Sequence, residues 1–223
     1  MRLLNSTLVN FRTFTARLKT IRQPGSFAQN FSFTFSSNLF GVILSLIFAP
    51  IMSRIYPPES YGTFSVYTAI VGNAAAFSLL NYNIALLIPK EEEKFNNLLR
   101  LTFALILIFS LLVLSITLLF SKKLIELFNI SNIGNLIFLL GPALFLTGTA
   151  AILGQWLTRE KEFKKLAIVG SSTNLLTRII TLTFGYFSKG NVYGFVISDF
   201  VGKFLSDLLL INKKIFSTVK ILI

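Results

Sequence analysis

The chain has 223 residues, of which 53% are hydrophobic and only 13% are charged. Soluble domains carry roughly 25% charged residues, so this composition excludes an ordinary soluble fold and predicts an all-α integral membrane protein. The absence of Cys and His excludes disulfides, thiol nucleophiles, Ser–His triads and histidine metal sites, and the net charge of +12 must be explained by its distribution.

The first segment, residues 1–27, carries five basic residues among apolar residues at nearly helical spacing. This pattern is typical of a basic amphipathic helix on the cytoplasmic surface of an anionic membrane, and a disordered basic tail is equally compatible with it. We expect no cleaved signal peptide here, because the charged region and the apolar run after it are both too long.

Six apolar windows follow, and each is close to the roughly 20 residues that a membrane-spanning helix needs. They cover residues 28–52, 62–88, 101–120, 133–157, 166–187 and 191–211. The sequence therefore predicts a six-transmembrane-helix lobe over residues 28–211, followed by a basic cytoplasmic tail over 212–223. Gly141 and Pro142 fall inside the fourth window and are expected to kink that helix.

Lys and Arg are distributed unevenly over the connections between these windows. With the N-terminus in the cytoplasm, most of the 21 basic residues lie on the cytoplasmic side. The outer connections hold Arg54, Lys122, Lys123 and Lys189. This positive-inside bias predicts an N-in/C-in topology with an even number of spans. It also explains the basic charge without nucleic acid, because short basic loops face anionic lipid.

Ionisable residues lie inside the last two windows. One helical face of the fifth window carries Ser171, Asn174, Arg178 and Thr181, and one face of the sixth carries Asp199, Lys203 and Asp207. A short connection joins the two windows, so the hairpin is expected to place Arg178 level with Asp199 near the bilayer midplane. Asn174 is then level with Lys203.

A charge at the bilayer midplane costs at least about 2.5–3.5 kcal/mol, so we expect these groups to point into the bundle, with Arg178 and Asp199 as an ion pair. Two interpretations remain open. In one, the charges line a hydrated cavity that receives an anionic headgroup or couples a proton or a cation. In the other, they form a structural ion pair that holds the hairpin in register.

Small and polar residues recur at helical spacing in three of the windows. They are Thr34, Asn38, Gly41, Ser45 and Ala49 in the first, Ser65, Ala69, Gly72 and Ala76 in the second, and Gly141, Gly148, Ala151 and Gln155 in the fourth. Helix–helix packing is the expected role of the Gly and Ala positions. The amides Asn38, Asn73 and Gln155 are equally compatible with a polar cavity, because a buried amide needs a hydrogen-bond partner.

The stretch from Phe40 to Lys90 carries three local motifs. The first helix ends in Pro50-Ile-Met-Ser-Arg54, the loop at 56–62 reads Tyr-Pro-Pro-Glu-Ser-Tyr-Gly, and the second helix ends near Ile88-Pro89-Lys90. These motifs resemble the start of the polysaccharide transporter and O-antigen flippase family, within the multidrug/oligosaccharidyl-lipid/polysaccharide export superfamily. The basic loop at 159–165 and the six-span layout extend this resemblance over nearly the whole chain.

The resemblance implies a protein that moves an undecaprenyl-diphosphate-linked oligosaccharide across the bacterial inner membrane, in polysaccharide or O-antigen biosynthesis. It implies no cofactor, and it implies two six-helix lobes around a cationic or polar cavity. The candidate substrate-binding residues are Arg178, Lys203, Asp199, Asn174, Asn38 and, at the outer edge, Arg54. Six spans make one lobe, so we expect a truncated or half-size flippase that needs a homodimer or a separate second lobe.

Other functions remain open at this stage. A half-size multidrug-type exporter and a nonfunctional remnant of a longer transporter both fit the same pattern. An integral-membrane enzyme is disfavoured, because the chain has only two Asp residues and its cluster Glu91-Glu92-Glu93 is flanked by Lys90 and Lys94. That arrangement is typical of a solvated loop and not of a metal site.

Overall fold

The computed structural model describes residues 27–211. Residues 1–26 and 212–223 lie outside the described residues, and with them nearly all of the predicted amphipathic segment and the predicted cytoplasmic tail. The described chain contains helices and no β-strand. Its elements are α1 (Phe27–Ile55), α2 (Pro58–Leu79), the short α3 (Tyr82–Ala85), α4 (Glu92–Leu127), a 3-10 segment (Ser131–Leu139), α5 (Leu140–Arg159), α6 (Phe163–Phe187) and α7 (Tyr193–Leu210).

The prediction of an all-α membrane protein is confirmed, with four described stretches long and apolar enough to cross a bilayer. These stretches are Ala28–Ile55, Glu92–Leu127, Ser131–Arg159 and Phe163–Phe187. The two remaining predicted spans correspond to α2, which is rich in Ser, Thr, Gly and Ala, and to α7, which carries three charged residues within 18 positions. The six-span count therefore stays a prediction.

The helices form a bundle in which α5 is central and α1 is peripheral. α5 packs against α2, α4 and α7, whereas α6 lies between α7 and α1. Eleven of the 20 residues of α5 are buried. Along α1 the buried hydrophobic residues are Leu44 and Met52. A helix that exposes most of its apolar residues on several sides suits a lipid environment.

Close packing between α4 and α5 depends on glycine. A side chain at Gly148 would collide with Ile106, and one at Gly141 would lie 2.7 Å from the Cβ atom of Leu114. Ile106 is fully buried in a hydrophobic cluster to which α4 and α5 contribute most of the residues. The packing role predicted for the Gly positions of the fourth window is therefore confirmed, because these two glycines let the helices approach closely.

The predicted kink at Gly141 and Pro142 is wrong. The fourth window divides into two elements, a 3-10 segment that bends at Gly134 and then α5, which starts at Leu140. Pro142 thus lies in the first turn of α5, where backbone N–H groups have no partner within the helix, so the proline removes no hydrogen bond there. The long helix α4 has its own irregularity at Phe120, whose φ is −123°.

Tyr56 lies in the connection between α1 and α2 and joins this connection to the α6–α7 hairpin. Its hydroxyl donates to the carbonyl oxygen of Thr181 at 2.6 Å, and its ring lies against Gly185 and Gly194, where any side chain would collide with it. Burial, and to a smaller degree the neighbouring Tyr61, raises the pKa of Tyr56 to about 12. The hydroxyl therefore stays a neutral donor at physiological pH.

Arg159 joins the end of α5 to the connection before α4. Its Nη1 donates to the carbonyl oxygen of Pro89 at 2.6 Å, and its guanidinium lies 4.1 Å from the centre of the Phe95 ring. Glu92 lies 3.8 Å from Nη2. Although the sequence placed Arg159 in a basic loop, its side chain is only 17% exposed, so it stabilises this connection.

Candidate functional site

The helix α6 presents two polar faces to two different neighbours. One face carries Thr177 and Thr181 and lies against α7, where the Thr181 hydroxyl is 2.6 Å from the Ser198 hydroxyl. The other face carries Ser171, Asn174 and Arg178 and is turned toward α1. The sequence pattern grouped Thr181 with this second face. That grouping is wrong, because the Thr181 hydroxyl contacts Ser198 on α7.

On α1, the facing residues are Ser37, Gly41 and Ser45, which recur every four positions. The Ser37 and Ser171 hydroxyls lie 3.1 Å apart, and Ser45 accepts a hydrogen bond from Arg178 Nη2 at 2.8 Å. A Cβ atom at Gly41 would be 3.4 Å from the Asn174 amide nitrogen. The small residues of α1 thus bring its backbone close to the polar face of α6.

An open cleft of about 620 Å³ lies along this contact between α1 and α6. Its polar and small lining residues are Ser37, Asn38, Gly41 and Ser45 on α1, with Gly170 and Asn174 on α6. Arg178 borders the cleft, because it contacts two of these residues. Its Nε atom donates to Asn174 at 3.0 Å, and its Nη2 atom donates to Ser45. We call these seven residues the α1–α6 polar cleft.

Arg178 is half-buried, and both of its hydrogen-bond acceptors are neutral. Among residues 27–211 it makes no ion pair with a carboxylate. A guanidinium cannot be deprotonated in a protein, so its positive charge persists beside the cleft. An uncompensated charge inside a membrane protein is costly, and such residues usually mark a pathway for a substrate or an ion.

The predicted ion pair between Arg178 and Asp199 is wrong. Asp199 instead accepts a hydrogen bond from Lys203 on the next turn of α7, at 2.8 Å. The physical reason is the rotation of α6, because Thr181 and Thr177 occupy the α7 side and direct Arg178 toward α1. The hairpin register is also displaced by two positions from the predicted one, since Thr181 meets Ser198 and Thr177 meets Gly202.

Lys203 and Asp199 form a local pair that neutralises both charges. Their side chains are 24% and 21% exposed, and they are one turn apart on the same helix. Because both residues belong to α7, this pair does not hold the hairpin in register, as the structural interpretation from the sequence required. Neither group is free to act as an isolated charge.

The remaining predicted site residues, Asn38 and Arg54, lie apart from the Lys203–Asp199 pair. Asn38 lines the α1–α6 polar cleft and is exposed. Arg54 is exposed in the last turn of α1, eight residues beyond Leu46, which places it about 12 Å along the helix axis from the cleft. The structure therefore brings Asn38, Asn174 and Arg178 together and leaves Arg54 at the far end of α1.

The small-residue stripe of α2, defined as Ser65, Ala69, Gly72 and Ala76, is exposed along its whole length. A Cβ atom at Gly72 would meet nothing within 4 Å. Residues on the opposite face, among them Tyr67 and Val71, are buried in the bundle. The packing predicted for this stripe is therefore not made within residues 27–211.

Two polar positions at helix contacts were missed from the sequence. Ser37 was overlooked, although its four-residue spacing to Gly41 and Ser45 placed it on the same face. Thr149 was also overlooked, and its hydroxyl contacts the buried carboxylate of Asp207, 58 positions away. A Thr inside an apolar helix carries no signal for its distant partner. Residues 27–211 contain no cluster of three or more acidic, His or Cys side chains that could hold a metal ion.

Comparison with known proteins places most of this chain within one family description. The family described as polysaccharide biosynthesis protein matches residues 27–216. The match begins at the start of α1 and includes every element described above. No curated protein and no solved structure matches the chain.

Proposed function

The chain belongs to the polysaccharide biosynthesis protein family, as the opening hairpin indicated, and we propose from this membership that it exports lipid-linked oligosaccharide across a membrane. The substrate we propose is an undecaprenyl-diphosphate-linked oligosaccharide, used in polysaccharide or O-antigen biosynthesis. The location we propose is the bacterial inner membrane. Export of this kind moves the substrate without making or breaking its bonds, so we propose no enzymatic activity.

The observation that carries this proposal is the uncompensated charge of Arg178. Its guanidinium is held by Asn174 and Ser45, which orient it without neutralising it. A diphosphate offers several anionic oxygens to a planar donor group, and Arg binds such oxygens in a bidentate manner. Arg178 is therefore the residue that we propose as the diphosphate contact.

The other residues of the α1–α6 polar cleft suit the sugar portion of the substrate. Asn38 and Asn174 carry amides that can both donate and accept hydrogen bonds, as sugar hydroxyls require. We propose that Lys203 and Asp199 maintain the charge balance of α7, and that Arg54 contacts the substrate only where it enters or leaves. These assignments rank Arg178 and Asn174 above Lys203 and Arg54.

For the topology we propose six spans with both chain ends in the cytoplasm. The uneven distribution of Lys and Arg supports this arrangement. So does the packing of α2 and α7 against α5, because both helices lie beside a stretch that is long and apolar enough to cross the bilayer. Residues 1–27 and 212–223 are then cytoplasmic basic segments that face anionic lipid, and 28–211 is the transmembrane lobe.

A second lobe is part of the proposed mechanism, either as a homodimer or as a separate six-helix partner. Transport by alternating access needs two units that move against each other around a site between them. The exposed small-residue stripe of α2 supports this step, since such residues allow a helix from a partner to approach closely in lipid.

Complementation tests the proposed function. A bacterial strain that lacks its O-unit flippase is given the full chain alone, or together with a second six-helix lobe. We expect surface polysaccharide to be restored in at least one of these two conditions, and Arg178→Ala to reduce it. Membrane-inserted protein that restores no surface polysaccharide in either condition would argue for one of the alternative functions.

A further inference from the structure

A buried acid joins α5 to α7 away from the α1–α6 polar cleft. Asp207 is 7% exposed, and its Oδ2 atom lies 2.5 Å from the hydroxyl of Thr149 on α5. Its other oxygen, Oδ1, is buried and has no hydrogen-bond partner within residues 27–211. Within residues 27–211, the Asp207 carboxyl group thus has one oxygen in a hydrogen bond and one oxygen without a partner, both at the contact between α5 and α7.

The hydrogen atoms at this contact can be counted. The Thr149 hydroxyl has one hydrogen, yet its oxygen lies within hydrogen-bond distance of three acceptors: the carbonyl oxygens of Phe145 and Leu146, each at 3.0 Å, and Asp207 Oδ2. A Thr in a helix commonly donates to the carbonyl one turn earlier. If Asp207 carries the proton, it donates to Thr149, and Thr149 donates to its own helix. Both groups then have suitable partners.

An ionised Asp207 would leave this arrangement unbalanced. The single Thr149 hydrogen would have to serve the carboxylate and abandon its own helix, and Oδ1 would stay buried with a partial charge. Burying a charge without a partner costs far more than burying the neutral acid, so such groups in proteins usually take up a proton. The burial and the unpartnered Oδ1 therefore both favour the neutral acid, against the opposing effect of a Thr149 hydrogen donated to Oδ2.

The charged groups on the neighbouring elements are already engaged or point elsewhere. On α7 itself, Lys203 is paired with Asp199. On α5, Arg159 donates to Pro89. On α6, Lys165 donates to the carbonyl oxygens of Leu210 and Ile211, Arg178 donates to Ser45, and Lys164 is exposed. The 3-10 segment has no charged residue. In the described chain, no cation pairs with Asp207.

We propose that Asp207 is a proton-binding site at the contact between α5 and α7, and that its proton holds these two helices together. Loss of the proton turns the single Thr149 hydrogen away from the carbonyl oxygens of its own helix and leaves a negative charge between α5 and α7, which weakens their packing. Lys165 still ties the last turn of α7 to α6, so deprotonation loosens α7 from α5 without releasing it from α6. This site does not depend on the proposed export activity.

Infrared spectroscopy of the full chain in lipid tests the protonation state. We expect the wild-type protein at mildly acidic pH to show the carbonyl band of a protonated carboxyl group. Asp207→Asn should remove that band, and Asp199→Asn should retain it. A wild-type spectrum without the band, or a band that persists in Asp207→Asn, overturns the proposal.

Two further measurements keep the test decisive if Asp207→Asn does not fold. Thr149→Val removes the proposed acceptor, so it should shift the band, and an unshifted band overturns the Thr149 contact. Trp156, the single tryptophan of the chain, lies on α5 seven residues from Thr149. Raising the pH should change its emission as the carboxyl band disappears. Loss of the band without an emission change, or an emission change without loss of the band, overturns the coupling to helix packing.

Discussion

Arg178 donates a hydrogen bond from Nη2 to the Ser45 hydroxyl at 2.8 Å, and this bond joins α6 to α1 across 133 positions of the chain. The same guanidinium donates from Nε to Asn174, one turn earlier on α6. Two neutral partners on two helices therefore fix the orientation of a charged group. Within residues 27–211, this geometry leaves the remaining N–H donors of Arg178 available to an anionic ligand.

The first prediction concerns Arg178 itself. Arg178→Ala should reduce oligosaccharide export about tenfold or more, because a hydrogen bond from a charged donor contributes about 1.5–3 kcal/mol. Arg178→Lys should give an intermediate value, since it keeps the charge and loses the planar donor group. The measurement is surface polysaccharide per inserted protein. Lys164→Ala, which removes an exposed cation from the same helix, is the control and should be neutral. Full export by Arg178→Ala would contradict the proposed diphosphate contact.

The second prediction distinguishes a structural from a functional Lys203–Asp199 pair. Asp199→Asn and Lys203→Gln should each lower the unfolding free energy by about 1–3 kcal/mol, because each leaves a partly buried charge unmatched. The double variant should recover most of this loss and should retain export. Stability is followed in detergent through the fluorescence of Trp156. If the double variant is stable but inactive, the pair has a role in transport.

The third prediction concerns the fit of Tyr56 against α6. Gly185→Ala should destabilise the fold by about 1–3 kcal/mol, because a Cβ atom there would lie 2.5 Å from the buried Tyr56 ring. In a Tyr56→Leu background the same substitution should cost much less, and thermal unfolding of the four proteins measures this coupling. Gly154→Ala is the control, since a Cβ atom there meets nothing within 4 Å. Equal costs for Gly185→Ala in both backgrounds would show that Tyr56 does not fill this space.

The fourth prediction concerns the small-residue stripe of α2. Gly72→Leu should leave the unfolding temperature of the isolated chain nearly unchanged, because the position is exposed and open. It should nevertheless abolish export and the association with a second lobe or a second copy, which crosslinking in membranes would measure. Ser115→Leu adds similar bulk to an exposed site on α4 and should affect neither. Normal association of the Gly72→Leu variant would show that this stripe is not the surface that contacts a second lobe or a second copy.

The fifth prediction concerns topology. The chain has no Cys, so single-cysteine variants can report the side of the membrane on which each connection lies. Cysteines at Lys122 and Lys189 should react with an impermeant thiol reagent added outside intact cells. Cysteines at Lys94 and Lys161 should react only after the membrane is opened. Labelling of position 189 from the cytoplasmic side alone would exclude the N-in/C-in arrangement.

The sequence predicted the helical membrane class well because long apolar runs and their polar punctuation are local properties. It predicted the level of Arg178 on the hairpin to within two residues, since a short connection leaves little freedom in register. It could not predict which neighbour each face of α6 meets. The rotation of a helix about its axis depends on competition between distant partners. At the contact between α6 and α7, Thr181 and Ser198 lie where Arg178 and Asp199 were expected.

The partly predicted cleft shows the same limit. Asn38, Asn174 and Gly41 were recognised because polar or small residues stand out in apolar windows. Ser45 was recognised as a member of the small and polar stripe of the first window, and its hydroxyl accepts a hydrogen bond from the guanidinium of Arg178. The partnership of Thr149 with Asp207 left no trace in the sequence, because each residue alone is compatible with many environments.

The peripheral position of α1 has a consequence for biogenesis. α1 leaves the ribosome before the other described helices, yet its principal partner, α6, is translated more than a hundred residues later. During that interval α1 must remain in lipid without its hydroxyl and guanidinium contacts, which its many apolar side chains permit. Docking of α1 onto α6 is therefore expected to be a late assembly event, after the α4–α5 core has formed. Substitutions at Ser37 or Ser45 are then expected to slow the docking of α1 onto α6 more than the insertion of α1 into the membrane.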